Sequence, residues 1–314
     1  MAFRLKENDF KALVDIAEHR ILTVTQFVAI AQKTKHAVRR RLRDLEKEGL
    51  VTSLSRDFGR GRGRPENLLG LTEESVNLLR DRGLIDQNIP YENILGDSIL
   101  SVNHQLMMNW LRIHLYQVER ELPCLTIGFL AHNSPFLQRG QDGRVCIRDI
   151  SPVPNQGSKQ AHFIPDSVFS ISDANQHKSC LFFLEVDCGT ETIASPRRNM
   201  TDIRQKIVNY QWYFHEQRYK RYEAILDCSF HGFRLLFLTN SHSRLTALCR
   251  LAEEMKPSNF IWLTECTRLF PDGVSANIWA KGGNLQGPQH SILGSLCCRA
   301  PLPASVTSKF NKTS

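Results

Sequence analysis

Four residues in the second half of this chain carry charges that could act together. They are Asp166 in Ile164-Pro165-Asp166-Ser167, Glu185 and Asp187 in Phe183-Leu184-Glu185-Val186-Asp187, and Lys206 in Lys206-Ile207-Val208-Asn209-Tyr210. Side chains two apart on a strand project to one face, so Glu185 and Asp187 emerge side by side at the end of an otherwise apolar strand. Asp166 takes a comparable place on the strand before it. Three carboxylates converging at strand ends repel one another unless a divalent cation or a lysine is shared among them. Oxygen ligands of this kind suit magnesium or manganese, which activate water against a phosphodiester. Asp166, Glu185 and Asp187 are then the metal ligands, and Lys206 is the cation that stabilises charge at the scissile phosphate. The plainer alternative is that Asp166 and Asp187 merely terminate strands and that Lys206 is a solvated helix residue.

These residues depend on the elements that carry them. A long amphipathic helix is expected over 97–122, with Ile99, Leu106, Trp110, Ile113 and Val118 on its apolar face. Strand-like runs follow at 125–131, 163–171, 180–188, 222–230, 233–239 and 260–264, interrupted by helices at 200–216 and 243–255. Lys206 lies one turn before Tyr210 and flanks the apolar line Ile203, Ile207, Tyr210 and Phe214, from which its ammonium can fold back toward the carboxylates. Residues 134–160, rich in Gly, Pro and Gln, read as a surface excursion. The alternation predicts an α/β domain with a central mixed sheet over 96–295. Residues 296–314 read as a disordered basic tail.

A different chemistry marks the N-terminal part. Residues 33–64 hold eleven Lys and Arg against four Asp and Glu, a surplus of +7 in a chain whose formal charge is +8. Cations clustered in this way gain most from a polyanion, because each neutralised phosphate releases counterions. Helical periods cover 8–20 and the run after Thr23-Val24-Thr25-Gln26, a capping box. A third helix begins after Thr34 and places Val38, Leu42 and Leu45 on one face, with His36, Arg40, Arg43 and Lys47 opposite. Two short strands flank the loop Gly59-Arg60-Gly61-Arg62-Gly63-Arg64, and a helix capped by Thr72 closes the unit near Gly83. This order describes a winged helix-turn-helix over 1–95, ending in a linker at 85–96 that contains Pro90. In such a fold the third helix enters the major groove and the wing follows the backbone or the minor groove. The expected DNA contacts are Lys35, His36, Arg39, Arg40, Arg43 and Lys47 on the helix, and Arg60, Arg62 and Arg64 on the wing. A solvated charged face and a disordered basic linker are the bland alternatives.

At 314 residues, 41% hydrophobic and 23% charged, the chain is long enough for roughly two globular domains. No segment approaches the roughly 18 apolar residues of a membrane span, and the N-terminus lacks a signal peptide's apolar run, so a cytoplasmic protein is expected. The nine cysteines show no Cys-x-x-Cys spacing and read as reduced, buried thiols rather than zinc ligands.

Taken together, the winged-helix start, His104, Ile164-Pro165-Asp166, the run from Leu184 to Glu191, Lys206 to Tyr210 and a late Ile278-Trp279 resemble the replication-relaxation family of plasmids and other mobile elements. The resemblance covers about residues 5–290, and Glu-x-Asp-x-Gly-Thr-Glu at 185–191 is its most specific part. It implies a DNA-binding protein of replication, relaxation or mobilisation. The second domain also resembles the core of PD-(D/E)xK nucleases, in which an Asp, an acidic residue and a Lys two positions later hold the metal and polarise water. Asp166 and Glu185 match the first two, whereas Asp187 stands where that lysine is expected and Lys206 is its candidate replacement.

The leading expectation is a protein that binds double-stranded DNA through the winged helix. A magnesium- or manganese-dependent endonuclease is the sharper alternative. A winged-helix transcriptional repressor is the third, whose C-terminal domain would sense a partner or mediate dimerisation, a homodimer being expected if the operator is palindromic.

Overall fold

The computed structural model describes residues 4–54, 66–99, 101–139, 146–152, 160–195 and 202–294. The chain divides into two compact units, one of Met1–Ile113 with Asn133–Gln138, the other of His114–His132 with Arg139–Ser314. Among the described residues no helix is long and apolar enough to cross a membrane.

The first unit opens with α1 (Glu7–His19), β1 (Leu22–Thr23), α2 (Val24–Ala31), α3 (Lys35–Lys47), β2 (Val51–Leu54), β3 (Leu68–Leu71) and α4 (Glu73–Asp81). The three strands form an antiparallel sheet in the order β1-β3-β2. Three helices backed by such a sheet make a winged helix. Local chemistry sets the boundaries: Gln26 N donates to Thr23 Oγ1 at 3.1 Å while Thr23 N donates to Gln26 Oε1 at 3.2 Å, closing the capping box of α2. Thr34 and Thr72 accept from Ala37 N and Ser75 N at the starts of α3 and α4. Phe10, Leu13, Ile16, Phe27, Val38, Leu42, Leu45, Val76 and Leu79 share one core.

The segment expected as a linker is part of that core. Ile85, Ile89 and Ile94 are buried in it; one 3₁₀ turn, Tyr91–Asn93, lies between Ile89 and Ile94, and a second, Gly96–Ser98, follows. Buried Arg20 donates to the carbonyls of Glu92 and Leu95 at 2.6 and 2.8 Å. Gly96 passes so close to the turn after α1 that an added Cβ would lie 2.4 Å from Ile21 Cγ2 and 3.0 Å from the Arg20 carbonyl, which favours glycine there. Helix α5 (Val102–Glu121) adds amides to the same unit. Asn109 Nδ2 donates to the Ile21 and His19 carbonyls at 2.6 and 3.2 Å, and Gln105 Nε2 to His19 at 3.1 Å, satisfying acceptors left at the end of α1.

The second unit is built on a six-stranded sheet. After β4 (Leu125–Ala131), β5 (Asp149–Pro152) and β6 (Gln160–Phe163) come β7 (Ser167–Asp173), β8 (Lys178–Asp187), α6 (Ile203–His215), α7 (Arg221–Leu226), β9 (Phe233–Thr239), α8 (His242–Glu254), β10 (Ile261–Glu265), α9 (Cys266–Asp272) and β11 (Ala280–Lys281). The sheet order is β11-β10-β9-β8-β7-β4. Strands β4, β7 and β8 are antiparallel neighbours; β8, β9 and β10 are parallel, joined by helical crossovers, and β11 closes the edge antiparallel. The sheet is therefore mixed. Strand β8 reads as a nearly continuous apolar run because both of its faces are covered. Phe182 stacks on Phe169 at 4.7 Å on one side, and Phe183 meets Tyr210, Tyr213, Tyr222 and Phe233 on the other.

Two expectations need correction. The run 222–230 is not a strand: α7 takes its first half and buries Tyr222, an instance of a short apolar run whose period does not separate helix from strand. The stretch 134–160 is not wholly a surface excursion, since β5 and β6 pair within and beside it and Asp149 is only 1% exposed. That carboxylate accepts from Tyr213 at 2.8 Å, from Tyr222 at 2.6 Å and from Arg221, fastening β5 to α6 and α7. Burial raises its pKa despite these donors. Asp149→Ala would remove the carboxylate that the Tyr222 and Tyr213 hydroxyls and the Arg221 guanidinium share, so it is expected to cost the second unit roughly 3 kcal/mol. Urea unfolding of both proteins, followed by circular dichroism, measures the difference.

Candidate functional site

Helix α3 separates its residues sharply. Val38, Leu42 and Leu45 are buried, whereas Lys35, His36, Arg39, Arg40, Arg43 and Lys47 are all exposed. Among the described residues none of these six is in an ion pair. Arg41, on the flank between the two faces, is different: it grips the buried Asp9 of α1 with both Nε and Nη2, and the Nε contact is 2.5 Å. Burial alone would raise the Asp9 carboxyl, but the hydrogen bonds from Arg41 and the Lys6 amide hold it below its ordinary value. One arginine thus fixes the helix while the other cations stay available. Arg60, Arg62 and Arg64, expected on the wing, lie outside the described residues.

In the second unit, strand alternation puts Phe183, Glu185 and Asp187 of β8 on the face that α6 covers. Helix α6 starts at Asp202, whose two carboxylate oxygens accept from Gln205 N at 2.8 Å and Ser195 N at 2.5 Å. One turn in, Lys206 extends its ammonium to Glu185 Oε2 at 2.9 Å and to Glu191 at 3.1 Å. One turn further, Tyr210 packs its ring on Phe183 and donates its hydroxyl to Glu185 Oε1 at 2.6 Å. Asp166, just before β7, accepts the Val186 amide through Oδ2 at 2.7 Å, which places it across from Glu185. Asp187, on the same face, has a different partner. It is held by Arg244 in the first turn of α8 and accepts the Gly189 amide at 2.8 Å, with Gly189 at φ 81° starting the turn away from the strand. Arg244 also donates to the Glu191 carbonyl at 2.5 Å, so the loop after β8 is tied on both sides of Lys206.

The electrostatics follow the burial. Removal from water pushes Glu185 up to about 7, the charge of Asp166 adds to the rise, and Lys206 and Tyr210 oppose it. Lys206 stays above its ordinary value: the loss of water at its site would lower it, and the charges of Glu185 and Glu191 outweigh that loss. The sequence brought Asp166, Glu185 and Lys206 under suspicion together, and the structure places them together. Asp187 is withdrawn from that group by Arg244. Among the described residues no group of three or more His, Cys, Asp or Glu side chains is gathered to hold a metal ion, and Asp187 is engaged by Arg244 instead. Tyr210, Glu191 and Arg244 were not expected as partners. Glu191 and Tyr210 stand inside the quoted motifs, whereas nothing local in the sequence points to Arg244.

The replication-relaxation family model matches residues 13–227, well over half of the chain. The chain belongs to the replication-relaxation family. The matched region of this family member takes in the winged helix, the Glu185–Glu191 run and Lys206, and stops at the end of α7. No curated protein matches the chain. Among solved structures, mutant MarR from E. coli complexed with operator DNA is similar at 18% identity, covering 38% of this chain and 76% of that one, with a TM-score of 0.24. Wild-type MarR from E. coli in its apo form is similar at 18% identity over 38% and 79%, with a TM-score of 0.23. Likenesses of this size add no weight to the family assignment.

A folded-state pKa of about 7 for Glu185, against 4.5 for the free side chain, fixes a sign. The folded chain keeps a proton that the unfolded chain releases, so this stabilisation is complete below pH 4.5 and is lost as the pH rises toward 7. The Glu185→Gln variant carries no such proton. Its stability relative to the parent is expected to increase as the pH rises over that interval, and denaturant midpoints at several pH values check the direction.

Proposed function

We propose that this replication-relaxation protein binds duplex DNA through its winged helix, with α3 presented to the major groove, and acts in the replication, relaxation or mobilisation of a plasmid or mobile element. One observation carries the reading: six cationic or ionisable side chains stand exposed, and among the described residues without an ion pair, on one face of a helix whose other face is locked into the core. A face built only for solubility would mix its charges with carboxylates along the helix. Its carboxylates, Asp44, Glu46 and Glu48, lie instead toward its C-terminal end, away from the start that a recognition helix inserts. Replacing Arg39, Arg40 and Arg43 with Ala is expected to weaken duplex binding and to lower the slope of log affinity against log salt by about three. Fluorescence anisotropy across a salt series reads both quantities, and an unchanged slope removes α3 from the interface.

A second reading, a metal-dependent endonuclease, is favoured by the meeting of Asp166, Glu185 and Lys206. The donor set suits one magnesium or manganese ion held by Asp166 and Glu185, because magnesium is commonly held by only one or two carboxylates. Two adjacent acids, one of them buried with a raised pKa, are also what a cation would relieve. When bound, the ion would supply Lewis-acid activation of water. The chain's own parts in this reading are positional. Tyr210 orients Glu185 from below, and Lys206, steadied by Glu191, presents a positive charge beside the acids. Supercoiled plasmid incubated with the protein and magnesium or manganese is expected to be nicked, with nicking absent in Glu185→Ala. Plasmid retarded but uncut by both proteins leaves DNA binding as the function and the second unit as scaffold.

A further inference from the structure

Beyond the matched region, the last part of the second unit holds a cavity of about 580 Å³ lined by Glu253, Lys256, Asn259, Lys281, Asn284 and His290. Neither the winged helix nor the Glu185 cluster contributes to it. Its floor is a turn of fixed shape. Gly282 and Gly283 follow β11 at φ 63° and 86°, and a Cβ on Gly283 would fall 2.2 Å from the Cys249 carbonyl of α8, so the turn is pressed against that helix. His290 is held by a two-bond bridge to Trp279, at 2.9 and 3.1 Å, and its ring rests on Trp262 at 5.5 Å. The turn and His290 are therefore held in place, and the exposed side chains of Lys256, Asn259, Lys281 and Asn284 stand around them.

The chemistry of the lining is that of an anion site. Lys256 and Lys281 are exposed, and among the described residues neither has a carboxylate partner, in contrast to Lys206, Arg221 and Arg244. Lys256 is steadied by Ser258 Oγ at 3.2 Å without losing its charge. Asn284 accepts the Gly287 amide through Oδ1 at 2.8 Å, which leaves its NH₂ as a donor. Two ammonium groups and the side-chain amides of Asn259 and Asn284 outnumber the one carboxylate, Glu253. Multiple donors with a net positive charge suit a phosphate oxyanion, and the volume lies in the range of nucleotide-sized ligands.

We propose that this cavity is a phosphate-binding site, distinct from the winged helix. Its phosphate comes either from a nucleic-acid strand crossing the second unit or from a free nucleotide or polyphosphate. The test uses the full chain, the Lys256→Ala/Lys281→Ala variant and a control, Lys178→Ala/Lys220→Ala, which removes two exposed lysines elsewhere. Pyrophosphate binding is read by calorimetry, and binding of a short duplex and a short single strand by anisotropy over a salt series. The cavity variant is expected to lose about tenfold or more in pyrophosphate affinity, with the control unchanged and the thermal midpoint of all three alike. If a nucleic-acid strand is the source, the salt slope also falls by about two in the cavity variant. Loss confined to pyrophosphate identifies a free phosphate ligand. Unchanged binding of every probe, or an equal loss in the control, overturns the proposal. Pyrophosphate binding that depends on the two lysines in a protein that holds no DNA would leave the cavity standing and remove the winged-helix function alone.

Discussion

A carboxylate taken out of water must be met by a cation or by hydrogen-bond donors, and the second unit is arranged around that requirement at Glu185. The side chain sits near the end of the central strand, on the face that α6 covers, and so it cannot be solvated from either side of the sheet. Lys206 and Tyr210, one turn apart on α6, supply the cation and the hydroxyl. Their spacing along the helix matches the position of one acid at one strand end, and this couples the register of α6 to β8. The cap at Asp202 and the loop from Cys188 to Ser195 follow, because they must deliver α6 in the orientation that points Lys206 inward. Asp149 repeats the arrangement at the other end of α6 with Tyr213, Tyr222 and Arg221. Two buried acids thus clamp one helix to the strands that it covers.

The first unit solves a different problem. Its core is apolar and continuous, and its buried polar groups serve the ends of elements. Asn109 and Gln105 take up carbonyls at the end of α1, Arg20 secures the turn after Pro90, and Arg41 binds Asp9. Of these contacts, the Arg41–Asp9 pair is the one that ties α3 to α1, and the others secure backbone ends elsewhere in the unit. A helix already fixed on its inner side loses less freedom when a polyanion docks on its outer one.

Periodicity carried much of this into view. The helices of the winged helix, the caps at Thr23, Thr34 and Thr72, and strands β4, β9 and β10 were legible because their local chemistry agrees with the tertiary environment. The convergence of Asp166, Glu185 and Lys206 was legible because strand alternation and one helical turn suffice to place them. What stayed hidden depends on partners far along the chain. Arg244 reaches Asp187 across 57 positions, and Asp149 meets its tyrosines across 64 and 73. The segment 85–96 resembled a linker because its polar residues outnumber Ile85, Ile89 and Ile94, and only the fold shows that those three point the same way. Residues 222–230 were misread as a strand because a short run containing Tyr222, Ile225 and Leu226 fits either period.

Pairing, more than abundance, distinguishes the cations that build this protein from those free to meet a ligand. By count alone, Arg41 belongs with Arg39, Arg40 and Arg43, yet a buried aspartate has claimed it and its removal would be felt in folding before binding. Arg221 and Arg244 are claimed in the same way by Asp149 and Asp187. An ammonium or guanidinium already desolvated against a carboxylate has little left to offer a phosphate, because the exchange breaks a charge-assisted bond to form another. Among the described residues, a group of cations without a carboxylate partner lies on the outer face of α3, and two more stand at the rim of the cavity beside β11. Counterion release rewards only charges that are free to neutralise phosphates. Electrostatic affinity for a nucleic acid should therefore follow these unpaired groups, and the net charge of +8 is a poor guide to it.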